Sequence, residues 1–176
     1  MDFLLPAASW LMAAAALVSA GACLAARRAV PWQGRQAAVV MAAGMLLMAT
    51  GGTGALGALL LGALTLVSGM IGTMGVRGAA SAASCCHRAL GALVMAVYAF
   101  HGAAGSGGQG VASAGHAGHS LGGALGALIV LGTLAVVGWT LAAALRPTGH
   151  RGRTARLLAV ESWAMAVGVV AMSIAG

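Results

Sequence analysis

Apolar runs follow one another along this chain, and arginine occurs only in every other connection between them. That alternation restricts the fold more than any other feature. The runs cover about 5–26, 37–50, 55–75, 87–101, 121–145 and 157–175, and several approach the roughly 20 residues that cross a bilayer. Inside hydrocarbon a single segment must satisfy its own backbone polar groups, so each run is expected to be a helix. The nine arginines fall in the first connection (Arg27, Arg28, Arg35), the third (Arg77, Arg88) and the fifth (Arg146, Arg151, Arg153, Arg156). The positive-inside rule then places those three connections in the cytoplasm and both termini outside. The expected fold is all-α: one integral membrane six-helix bundle over residues 1–176, with a flexible Gly/His loop over 102–120.

Composition agrees. The chain is 61% hydrophobic and 6% charged, whereas soluble domains carry about 25% charged residues. A net charge of +7 suggests nucleic acid, but the arginines sit in short clusters between apolar runs and form no soluble basic face. The bilayer is the expected partner and nucleic acid is not. Lys and Asn are absent while Ala, Gly and Arg dominate, which fits the coding bias of a GC-rich bacterium and hence a bacterial plasma membrane. The first run ends in small residues before Cys23, faintly like a lipoprotein signal. Asp2 and the following Arg27-Arg28 suit a retained first helix instead.

Against three Ile, the ten Met stand out. Met41, Met45 and Met48 are spaced by four and three residues, which puts their thioethers on one helical face. Such a stripe is either soft-metal chemistry or adaptable core filler. The topology sorts further candidates by depth. His101, His116, His119, Met48 and Met172 lie near the outer face, and Met41, Met45, Met95 and Met165 lie at mid-depth. Cys23, Met70, Met74, Cys85, Cys86 and His87 lie near the inner face. Cu(I) favours thioether and thiolate, and imidazole serves copper in both oxidation states. Each has a plainer reading: Met as packing, Cys as a small apolar residue, and His116-xx-His119 as too few ligands for a closed site. The adjacent Cys85-Cys86 pair is too constrained to chelate like a CxxC. Glu161 is expected to form an interfacial ion pair with Arg156 or Arg88. No nucleophile triad, phosphate loop, paired-carboxylate site or zinc-hydrolase motif is present, so no enzymatic activity is expected.

These residues resemble an actinobacterial family of small, His- and Met-rich polytopic membrane proteins, a domain of unknown function. The resemblance lies in Met41-Ala-Ala-Gly-Met45-Leu-Leu-Met48, in His87-Arg-Ala-Leu-Gly91 followed by Met95, in Gly-His116-Ala-Gly-His119, and in Met165-Ala-Val-Gly168-Val-Val-Ala-Met172. Two positions depart from the pattern. A His ahead of the Met stripe is replaced near Ala38, and Val169 occupies the middle Met position of the last helix. The resemblance implies a copper-related role for Met41, Met45, Met48, His87, Met95, His116, His119, Met165 and Met172. Two alternatives stand beside copper handling. One is a structural or assembly subunit, with a membrane-protein partner or a second copy packed on the small-xxx-small ridges of runs three and five. The other is a small-solute transporter, although no inverted repeat is visible.

Overall fold

The computed structural model describes residues 4–26, 30–51, 54–75, 81–106, 117–145 and 152–175. They form α1 (Leu4–Ala25), α2 (Trp32–Ala49), α3 (Ala55–Thr73), α4 (Ala82–Ser106), α5 (Ala117–Leu145) and α6 (Arg153–Ala175), with no strand among them. All but α2 contain a stretch long and apolar enough to cross a membrane. At 18 residues α2 is about 27 Å long, just short of a hydrocarbon core, and its first turn carries Gln33, Arg35 and Gln36.

Paired contacts fix the direction of each helix. Gly62 lies against Phe100 and Gly69 against Ala92, so α3 and α4 are antiparallel. Gly44 facing Leu61, with Gly72 facing Ala37, does the same for α2 and α3. Val94 meets Gly132 while His87 meets Thr140, which reverses α5 against α4. Gly91 beside Met165, with Arg88 beside Glu161, makes α4 and α6 parallel. Each helix packs on its neighbours in sequence, α6 closes back on α1, and α4 leans inward to touch α2 and α6 as well. The result is an up-and-down ring. The described arginines, Arg35, Arg88, Arg153 and Arg156, all lie near the starts of α2, α4 and α6, at one end.

The interior is built from small residues and thioethers, while the large aliphatics face outward. Leu56, Leu60, Leu131 and Leu134 are among many exposed Leu, whereas Ala92, Ala96, Ala171, Met95 and Met165 are buried. In lipid a Leu gains nothing by turning inward, and helices are held by close backbone approach. Glycine provides it. A side chain begun at Gly44 would collide with the Met95 methyl, and one at Gly91 would meet Met165 Sδ at 2.8 Å. One at Gly168 would meet Met45 Sδ at 3.3 Å, so buried methionines seat in glycine sockets on facing helices.

Helices α2, α4, α5 and α6 start ahead of their apolar runs, whereas α3 stops two residues short of its own. Helix α2 starts at Trp32, directly after Pro31, whose fixed φ sets up a first turn. Helix α4 extends five residues beyond the expected 87–101 at each end. Residues 102–106 and 117–120, expected as flexible loop, are the end of α4 and the start of α5; the rest of that loop lies outside the described residues. Leaving the hydrocarbon does not end a helix whose backbone bonds and alanines continue it. Helix α3 stops where Gly75 takes a φ of +73°, a conformation that L side chains rarely adopt.

Replacing Gly62 with Ala should destabilise the bundle by about 1–3 kcal/mol, because the rigid Phe100 ring stands 2.6 Å from the new carbon. Gly126→Ala, where nothing lies within 4 Å, should be neutral or slightly stabilising. Thermal unfolding in detergent distinguishes the two.

Candidate functional site

The thioethers expected from the sequence do meet. Met41, Met45, Met95, Met165 and Met172 belong to one buried cluster, joined by Met12 from α1, and Met48 packs against its edge. The helical spacing of the α2 stripe aims it inward, and the parallel course of α2 and α6 sets Met41 and Met45 beside Met165. Both Met41 and Met165 pass over Gly91, within 3.2 Å and 2.8 Å of a side chain begun there. Met70 and Met74 face outward and take no part.

Below the cluster, toward the arginine-bearing end, lies a charged pair. Arg88 on α4 donates from Nε to Glu161 Oε1 at 2.5 Å and from Nη2 to Oε2 at 2.7 Å. Both side chains are buried within the bundle, at 4% and 5% exposure, so the expected pairing of Glu161 with Arg88 forms inside the protein. Arg156, the other expected partner, is exposed. Two parallel charge-assisted bonds are the strongest geometry open to the pair, and they bind α4 to α6 across the ring. Gly34 opens the way for the guanidinium: a side chain begun there would meet Arg88 Nη1 at 3.3 Å. That nitrogen is buried and has no hydrogen-bond partner among the described residues. Cys23 of α1 is fully buried.

Between the pair and the thioethers is a cavity of about 10 Å³ lined by Ala15, Ala16, Ser19, Ala38, Met41, Ala42, Met45, Arg88, Glu161 and Met165. It is on the scale of one water-sized guest. Its walls are alanines, its roof is three thioethers, and its floor is a carboxylate already held by a guanidinium. Met12, Ser19 and the meeting of Glu161 with the Met stripe were not foreseen from the sequence.

The histidines lie elsewhere. His87 is buried on the side of α4 that faces α5, with Nε2 3.4 Å from Thr140 Oγ1 and its ring stacked on Trp139 at 6.3 Å between centroids. His87 directly precedes Arg88, which on a helix turns it about 100° away from the cavity. His101 is exposed at the far end of α4. His116 and the side chain of His119 lie outside the described residues. Among the described residues no three His, Cys, Asp or Glu side chains gather as a metal-binding group. Cys85 is buried near Gly34, and Cys86 is exposed. Compared with known proteins, the chain matches no family model, no curated protein and no solved structure.

Glu161→Gln should lower stability by about 3–5 kcal/mol, because it leaves the Arg88 charge buried without its partner. Replacing both, Arg88→Met with Glu161→Leu, should recover most of that loss. A Glu161→Gln protein that melts with the parent would show that the pair does not hold α4 to α6.

Proposed function

We propose that this chain is a non-enzymatic membrane protein that holds a soft metal ion, copper as Cu(I), at the thioether cavity. One observation carries the reading: Met41, Met45 and Met165, from two parallel helices, line the same small cavity beside a carboxylate. Thioethers are neutral, soft donors that suit Cu(I) and bind hard divalent ions poorly. The donor set and the cavity size therefore fit that ion. Met41, Met45 and Met165 would hold it, and the ion would bring only its binding and release, with no bond chemistry.

The chain's own residues do the remainder. Methionine has three rotatable bonds, and its glycine sockets leave the thioethers room to turn toward or away from the cavity. Glu161 sets negative charge beside the site, and Arg88 offsets it, so the floor is close to neutral when the cavity is empty. Met95, Met172 and Met48 continue the line of sulfurs toward the end of the bundle opposite the arginines. In this reading His116 and His119 capture ions at that outer end of a bacterial plasma membrane, and His87 supports α5 rather than the metal.

A second reading, an assembly subunit, has its own support. The ridge on α3 is consumed inside the bundle, since Gly62 receives Phe100. The one on α5 is not: nothing lies within 4 Å of Gly123, Gly126 or Gly138. A second copy or another membrane protein would find a small-residue face there.

The Met41→Leu/Met45→Leu variant should fold normally, since Leu-for-Met exchanges cost less than about 1.5 kcal/mol each. Its Cu(I) affinity, read by titration against a competing chelator in detergent, should fall by more than about tenfold. Undiminished copper binding in that variant would dismiss the site. No binding by the parent, together with a larger particle that Gly126→Leu breaks apart, would favour assembly.

A further inference from the structure

The chain carries nine arginines and two acids. Glu161 is taken up by Arg88. Among the described residues, Arg35, Arg153 and Arg156 share the arginine-bearing end with Glu161, and Arg88 already holds its carboxylate. No other described carboxylate stands beside them.

One of them lines a recess. Between α1 and α2, at the level where both helices end, lies an open groove of about 310 Å³ formed by Leu24, Trp32, Arg35, Gln36, Val39 and Val40. Its apolar walls are accessible from the bilayer, with Leu24 at 48%, Trp32 at 60% and Val39 at 44% exposure. Its polar lining consists of a guanidinium, an amide and an indole, which supply hydrogen-bond donors, and it contains no acid. Arg35 is half-buried, and its Nε finds no hydrogen-bond partner among the described residues. Pro31 offers α2 no side-chain cap, so the first-turn N–H groups add positive potential at the same level.

We propose that this groove binds an anionic phospholipid, with its phosphate at Arg35 and Gln36 and the upper part of an acyl chain along Leu24, Val39 and Val40. The match is one of both charge and depth. A lipid phosphate lies at the height of the helix ends, its chain descends along the aliphatic wall, and Trp32 occupies the interfacial belt that indoles favour. Basic recesses between helix ends at the cytoplasmic surface are suited to such headgroups. The groove lies on the outside of α1 and α2, whereas the thioether cavity is within the ring, so the two sites are independent.

The test is native mass spectrometry of the protein released from nanodiscs of mixed phosphatidylglycerol and phosphatidylcholine. The parent should retain phosphatidylglycerol preferentially. Arg35→Gln should weaken that retention about fivefold, the factor one arginine near an anionic surface contributes. Val39→Trp, which fills the groove and leaves every charge in place, should also release the lipid. Arg156→Gln, on α6, should leave retention at the parent level. Equal retention of the two lipids, or an Arg35→Gln protein that keeps phosphatidylglycerol like the parent, would overturn the proposal. So would loss on Arg35→Gln with full retention in Val39→Trp, which would assign the charge to a diffuse surface or an acidic protein partner.

Discussion

Two helices surrounded by lipid tails have no apolar surface to hide from water, so something other than Leu must hold them together. This bundle uses proximity. Its backbones approach where glycine removes the Cβ, and the space between them is filled by flexible thioethers instead of branched aliphatics. Gly44 receives Met95, Gly91 receives Met165 and Met41, and Gly168 receives Met45. A side chain at any of these glycines would first have to displace a buried methionine from the interior. The same arrangement gathers the sulfurs, so packing and candidate chemistry rest on one set of residues.

The Arg88–Glu161 pair adds direction to a contact that packing alone would leave loose. Thioether-on-glycine packing is adaptable and tolerates sliding. A bidentate guanidinium–carboxylate pair does not, since both bonds are lost if α6 shifts by one turn. Small residues at Ala15, Ala38 and Ala42 leave room above the pair, and that room is the cavity. The register of α4 against α6 therefore also sets where Met165 stands relative to Met41 and Met45. Buried ion pairs are weak contributors to net stability, but fixing register is their best-attested use.

Much of this was legible in the sequence. Apolar runs and alternating arginines dictate the helices and put the arginines at one end, and the spacing of Met41, Met45 and Met48 predicts a single face. What periodicity cannot convey is which faces meet. Met95 and Met165 converge on the stripe because α2, α4 and α6 run parallel and α4 leans inward to touch the other two, a tertiary fact. His87 was misjudged as a companion of the methionines for the same reason: its neighbour Arg88 faces inward, and 100° of helix turns the imidazole toward Thr140 and Trp139 instead. The starts of α2, α4, α5 and α6 were underestimated because hydropathy marks where a segment leaves hydrocarbon, whereas backbone bonding marks where it stops. The burial of Glu161 was likewise invisible, since the glycine that admits its partner, Gly34, belongs to another helix.

The sequence separation of the buried pair bears on how the protein is made. Arg88 and Glu161 are 73 residues apart, which at ordinary synthesis rates of about 5–20 residues per second amounts to several seconds. During that interval α4 enters the membrane with its arginine unmatched. Arg88 lies on the second turn of α4, at the arginine-bearing end, near enough for a long side chain to reach the headgroups until α6 arrives. Only with α6 in place can the two bonds form, so the contact that fixes the register of α4 depends on the last helix of the bundle.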